Sequence, residues 1–225
     1  MRESGILMHI TSLPGSWGIG TMGKQAFAFV DFLHDAGQRN WQILPLTPTG
    51  FGDSPYQSCS TFAGNPYLID LDLLAEKNLL ETDELKGFDW GQGESRVDFG
   101  CQYRSKNAAL QLAYSRFTDS EDFRSFCRKN SSWLADFSLY MALKGRYQGA
   151  PWYEWEHNLK FREPSAVWQA RQELKDEIRF HCFVQYLFFD QWNALHTYAE
   201  SKGVQIIGDV PIYVPYDSVD VWSNP

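Results

Sequence analysis

Apolar positions along this chain fall into two rhythms. Val204, Ile206 and Ile207 form a short run that stops at Gly208–Asp209, the pattern of a strand covered on both faces. Gly5–Thr11 and Asn40–Pro48 read the same way. From Lys24, Ala26, Phe29, Val30, Leu33 and Ala36 recur on one helical stripe, and Gly37 ends it. Strand, helix and strand in that order make a βαβ unit, with parallel strands and a right-handed crossover.

After the second strand the rhythm changes. Tyr67–Leu74 alternates around Asp70 and Asp72 and predicts a short strand outside the main sheet. Leu74–Leu80 and Glu81–Leu85 predict short helical pieces, and Gly87–Gly100 a loop. Helices are expected over Arg104–Thr118, over Ser120–Lys129 behind the capping residue Ser120, and over Ser131–Lys144. The clearest helical stripe runs from Ser165 to Lys202 as one element, through Ile178, Phe183, Val184, Leu187, Phe188, Trp192, Leu195 and Tyr198. Gly203 ends it before the third strand. The expected organisation is α/β. Residues 1–73 and 162–225 carry the sheet and its helices, and residues 74–161 form a helical insertion subdomain between the second and third strands.

Two stretches carry candidate chemistry. Asp209 ends a strand, on the C-terminal rim where parallel α/β folds build their sites. It either caps a turn or faces a ligand. Pro211, Tyr213, Tyr216, Asp217 and Trp222 follow it closely, and rings beside carboxylates suit a ligand with apolar faces and many hydroxyls, such as a sugar. Thr49–Pro66 is a long loop after the second strand, expected on the same rim, bringing Asp53, Ser54, Tyr56, Gln57, Ser58 and Asn65. Trp152 and Trp155 read equally as the entrance to a groove or as packing. The carboxylate pairs Asp70/Asp72 and Asp217/Asp220 read as structural, because neither sits at a strand end. His9 reads as a satisfied core or rim residue, and His181 and His196 as exposed or capping residues of the long helix.

Composition narrows the classes. At 225 residues, 44% hydrophobic and 21% charged, the chain can bury a sizeable core. Aromatic content is 16%, which raises the weight of ring-shaped ligands. The net charge of -8, with no basic block, argues against nucleic-acid binding. Cys59, Cys101, Cys127 and Cys182 are scattered without metal-ligand spacing, so they read as free thiols of a reducing, cytoplasmic compartment. The longest apolar runs are too short for a membrane span.

GDVPIYV at residues 208–214 with DSVDVW at 217–222, GDSPYQSCSTFAGNPYLIDL at 52–71 and GILMHITSLPGSWGIG at 5–20 together resemble the 4-alpha-glucanotransferases (amylomaltase, or disproportionating enzyme), glycoside hydrolase family 77. The resemblance covers nearly the whole chain. It implies the N-terminal part of a (β/α)8 TIM barrel, about three of eight strands. It implies an α-glucan or malto-oligosaccharide substrate and transfer of an α-1,4-glucan segment with retention, through a nucleophile and a general acid, with no metal or organic cofactor. By resemblance, Asp209 hydrogen-bonds the sugar at the cleavage point, Tyr56 stacks on it and Ser54 lies beside the adjoining sugar. Carboxylate and ring would converge on one glucose. Phe51 stands where relatives often have Tyr, at an outer glucan contact, and can stack without hydrogen-bonding. Asp217, Ser218 and Trp222 follow the pattern without an assigned role. The family's Arg-x-Asp-His nucleophile motif is absent from these residues. The expectation is therefore that nucleophile and acid lie beyond Pro225, that no catalytic residue is in this chain, and that its open sheet edge invites self-association. The alternatives are a non-catalytic α-glucan-binding module, or another alpha-amylase-clan hydrolase.

Overall fold

The structure, a computed structural model, describes residues 3–91 and 95–224, and for Phe51 the backbone alone. In chain order its strands and α-helices are β1 (Gly5–Leu7), α1 (Lys24–Asp35), β2 (Asn40–Gln42), α2 (Leu71–Glu76), α3 (Thr82–Leu85), α4 (Phe99–Arg116), α5 (Glu121–Lys129), α6 (Ser131–Arg146), α7 (His157–Lys160), α8 (Pro164–Glu173), α9 (Lys175–Ser201), β3 (Gln205–Ile207) and α10 (Val219–Trp222). The strands form one parallel sheet in the order β1-β2-β3. Parallel neighbours joined through helices are the repeating unit of a (β/α)8 barrel, of which this is a part.

Strand register explains which face is covered. Ile6, Trp41 and Ile206 lie side by side across the sheet. Trp41 is fully buried, edge-on to Phe29 of α1 at 5.0 Å, and its Nε1 donates to the Met8 carbonyl at 2.7 Å. The next row, Leu7, Gln42 and Ile207, points the other way because side chains alternate along a strand. Leu7 is 57% and Ile207 45% exposed. Among the described residues one face is packed and the other is open, as expected of three strands covered by helices on one side; only the two-sided covering read from apolar runs such as Gly5–Thr11 is not found. In a closed barrel that second face lines the interior. The strands are also shorter than their apolar runs, since Ile10–Ser12 turns into a 3-10 helix.

The chain divides into two compact units. The first holds the chain up to Leu46, Asn65–Thr118 and Leu187–Val210, and so contains the sheet. α1 buries Ala26, Val30 and Leu33, as its stripe predicts. Gly203, at φ 70°, ends α9 and lets the Val204 amide reach back to the Ala199 carbonyl at 2.9 Å. The strand expected over Tyr67–Leu74 is instead a 3-10 turn, Pro66–Leu68, followed by α2. Two short polar residues decide it: Asn65 accepts from the Tyr67 amide at 3.0 Å, and Asp70 caps α2 through the Leu73 amide at 2.9 Å. α4 starts at Phe99, earlier than its apolar pattern shows, because Asp98 caps it through the Cys101 amide. Lys106 on α4 is buried at 1% exposure, its Nζ donating to the Ile69 carbonyl at 2.8 Å.

The second unit comprises Thr47–Gly64, Asp119–Tyr186 and the chain from Pro211. The single helix expected over Ser165–Lys202 is broken at Leu174, which leaves helical geometry between α8 and α9. No Gly or Pro marks this break, so the periodicity passes through it unseen. The core is aromatic. Trp222 is fully buried, 5.5 Å from the Trp155 ring and 5.8 Å from the Tyr140 ring. Its Nε1 donates to the Leu159 carbonyl at 3.0 Å, and the Arg162 guanidinium lies 4.3 Å from its ring centre. Trp222→Ala opens a cavity and is expected to cost about 3–5 kcal/mol in urea unfolding; a loss under about 1 kcal/mol would mean that the core collapses around the gap.

Candidate functional site

Asp209 lies two residues past β3, at the C-terminal edge of the sheet in the first unit. It is exposed, and its Oδ1 accepts from the Val210 amide at 2.8 Å. The residues after it are exposed apolar side chains: Val210 is 77% and Ile212 89% exposed. A strand-end carboxylate turned to solvent can accept hydrogen bonds from ligand hydroxyls.

Tyr56, Ser54 and Phe51 belong to the second unit. Phe51–Asp53 is one 3-10 turn, with Gly52 and Asp53 both in the left-handed region at φ 80° and 57°. Gly suits that region, whereas Asp53 adopts it at a cost. Two backbone bonds close the turn, Gly50 N to Gln57 O at 2.7 Å and Gln57 N to Ser54 O at 3.2 Å. The Ser54 hydroxyl accepts from the Tyr56 amide at 3.3 Å, and the Tyr56 ring is 45% exposed. Phe51 opens the turn, and its side chain lies outside the described residues.

The loop is held from below by contacts invisible to periodicity. The Gly64 amide donates to Gln185 Oε1 at 2.7 Å, and Gln185 Nε2 returns a bond to the Gly64 carbonyl at 2.9 Å. Thr61 donates twice to Asp220, from its amide at 3.0 Å and its hydroxyl at 2.8 Å. In the first unit Gln191 clamps the backbone of Asp70 in the same two-bond way. Gln185 and Gln191 are both buried. Their signal in the sequence is a polar amide set among the apolar residues of α9, and sequence reasoning missed it.

The remaining candidates are scaffold. Asp70 receives the Thr21 hydroxyl at 2.6 Å besides capping α2, and Asp72 accepts from Trp17 Nε1 at 2.8 Å. Asp217 accepts from Tyr140, Lys144 and the Trp152 amide, Ser218 caps α10, and Trp222 fills the core. Trp152 and Trp155 are buried packing residues rather than a groove entrance. Tyr213 is 83% exposed, while Tyr216 stacks on Tyr153 at 5.2 Å.

The histidines differ from expectation. His181 is half-buried rather than exposed, and burial holds its pKa down at about 4. His9 is also held near 4 by burial. It is not satisfied: its Nδ1 is buried with no hydrogen-bond partner among the described residues. His196 lies 3.7 Å from Glu200, one turn on. Among the described residues, no group of three His, Cys, Asp or Glu side chains could hold a metal ion, and no helix is long and apolar enough to cross a membrane.

Comparison with known proteins places the chain. The 4-alpha-glucanotransferase model of glycoside hydrolase family 77 matches residues 8–225. The chain is 48% identical over 220 residues to a 4-alpha-glucanotransferase of Clostridium butyricum, covering 97% of this chain and 45% of the relative. It is 48% identical over 230 residues to that of Thermus thermophilus, covering 100% and 45%. Amylomaltase from Streptococcus agalactiae, solved in complex with acarbose, superposes with a TM-score of 0.96 at 44% identity, over 100% of this chain and 46% of that one. The amylomaltase of Corynebacterium glutamicum, at 21% identity and a TM-score of 0.77, shares the fold. The chain thus spans a little under half the length of the curated relatives it matches. With a family match over nearly all of its residues, this chain belongs to the 4-alpha-glucanotransferases of glycoside hydrolase family 77.

Proposed function

We propose that this chain is the N-terminal, glucan-binding part of a cytoplasmic 4-alpha-glucanotransferase, which transfers α-1,4-glucan segments between malto-oligosaccharides by a retaining double displacement. The observation that carries the reading is the family match over residues 8–225, supported by the close likeness to an amylomaltase that takes acarbose. Retention requires two carboxyl groups about 5–5.5 Å apart, one attacking the anomeric carbon and the other protonating the leaving oxygen. Neither is assigned to these residues. Asp209 accepts hydrogen bonds from sugar hydroxyls, the Tyr56 ring stacks on an apolar sugar face, and Ser54 and Phe51 contact neighbouring sugars. Residues 74–161 form the helical insertion of the barrel.

The chain alone is expected to bind acarbose in titration calorimetry and to release no glucose from maltotriose. Asp209→Ala should weaken acarbose binding roughly 10- to 100-fold, as the loss of a charged hydrogen bond does, and Tyr56→Ala roughly tenfold. Glucose release by residues 1–225 would overturn the assignment of the chemistry elsewhere. Unchanged affinity in both variants would overturn the binding roles. A non-catalytic α-glucan-binding module is the second reading, favoured by the exposed Tyr56 ring and Asp209 carboxylate; a longer coding sequence without an Arg-x-Asp-His motif would select it. Self-association of this chain through an open edge of the three-stranded sheet should show as a concentration-dependent mass in sedimentation.

A further inference from the structure

The turn that carries Tyr56 holds a strained residue. Asp53, at φ 57°, occupies a region that persists only where the surroundings over-determine it. Part of that support follows Tyr56 along the chain. The buried Ser58 hydroxyl donates to the Ser60 carbonyl at 2.7 Å and accepts from the Ser60 amide at 3.2 Å. The buried Ser60 hydroxyl accepts from the Ala63 amide at 3.2 Å. Three bonds tie this stiff stretch to α10. The Val219 amide donates to the Cys59 carbonyl at 2.8 Å. Asp220 Oδ2 accepts from the Thr61 amide at 3.0 Å, and its Oδ1 from the Thr61 hydroxyl at 2.8 Å. All of these residues lie in the second unit.

We propose that Asp220 is a positioning residue for sugar binding: through Thr61 and the Ser58–Ser60 stretch it fixes the turn from which Tyr56 stacks on a glucose ring. The inference rests on the glucan-binding reading of Tyr56. Both Asp220 oxygens are engaged with Thr61, so the carboxylate acts through the loop and not on the sugar. Two bonds from one carboxylate to one residue fix orientation as well as distance. Gln185 grips Gly64 in a similar way, but Asp220 holds the loop closer to Tyr56 along the chain. A ring already in its binding position loses less freedom when sugar arrives. Once the clamp is released, affinity falls in proportion to the time the turn spends in the stacking geometry.

The test pairs acarbose titration with amide hydrogen exchange, on this chain and on variants of it. Asp220→Ala should weaken acarbose binding about five- to tenfold. The Gly50 and Gln57 amides, which close the Tyr56 turn, should exchange about tenfold faster, while the amides of α6 keep their rates. Asp220→Asn keeps one acceptor oxygen and Thr61→Val keeps the amide bond, so each should fall between the two extremes. In a Tyr56→Ala background, Asp220→Ala should cost no further affinity, because it acts through that ring.

Faster exchange spread equally over α6 would mark Asp220 as general support and overturn the proposal. A full further loss of affinity in the double variant would also overturn it. If the unaltered chain does not bind acarbose, the glucan-binding reading of Tyr56 fails, and exchange decides the rest. Unchanged Gly50 and Gln57 rates in Asp220→Ala then overturn the positioning role, and a rise confined to the loop upholds it. If Asp220→Ala does not fold, Asp220→Asn and Thr61→Val carry the same comparison.

Discussion

Asp217→Ala is expected to destabilise the second unit by about 2–4 kcal/mol, less than breaking a fully buried ion pair because Lys144 and Asp217 keep part of their solvent contact. One carboxylate serves three donors. Oδ1 accepts from the Tyr140 hydroxyl at 2.7 Å and from the Trp152 amide at 3.2 Å, and Oδ2 accepts from Lys144 Nζ at 2.7 Å. Tyr140 is fully buried. Without Asp217 its hydroxyl keeps its desolvation cost and loses its acceptor, and Lys144 loses its counter-charge. Lys144 also donates to the Gly149 and Ala150 carbonyls, so the loss spreads to the turn after α6. Asp217→Asn keeps an acceptor and sheds only the charge, so it should cost less, about 1–2 kcal/mol. Urea unfolding of both variants checks this. Equal losses for Asn and Ala would show that charge alone matters, and a small loss for Ala would show that solvent replaces the carboxylate.

Raising the pH from 7 to 8.5 should stabilise the first unit by about 1–2 kcal/mol through Lys106. Burial pushes the pKa of this lysine down to about 7, and the charges of Asp70 and Asp72 offset only part of the effect. In the unfolded chain the same amine titrates near 10.4. Between these values the unfolded state binds more protons, so stability rises with pH. The penalty is fully present below 7 and is relieved as pH climbs toward the unfolded value. The window stops short of pH 9 because Cys101 of the same unit, raised by burial and by the neighbouring Asp89, contributes the opposite slope once unfolded thiols ionise. Lys106→Met should flatten the profile over pH 7 to 8.5. A slope that persists in that variant would place the titrating group elsewhere.

Much of the candidate site was legible before any coordinate. Asp209 follows a strand, Tyr56 stands on a long closed loop, and three motifs in order carry the family. The capping roles of Asp70 and Ser218 were not legible, because an Asp within an alternating apolar segment looks the same in a strand as at a helix start. The half-burial of His181 was not legible for a related reason. Exposure depends on what packs against a side chain, and that information lies in distant segments.

The sequence by itself determined the three strands of the parallel sheet, the helix between the first two and the family, since these depend on local periodicity and on motifs contiguous along the chain. Only the tertiary structure decided which sheet face is covered, where the long helical stripe breaks, and that Gln185, Asp217 and Lys106 are buried polar anchors. The three anchors have partners 37 to 121 positions away, and burial and hydrogen bonding across such distances leave no mark on the local alternation of apolar and polar residues.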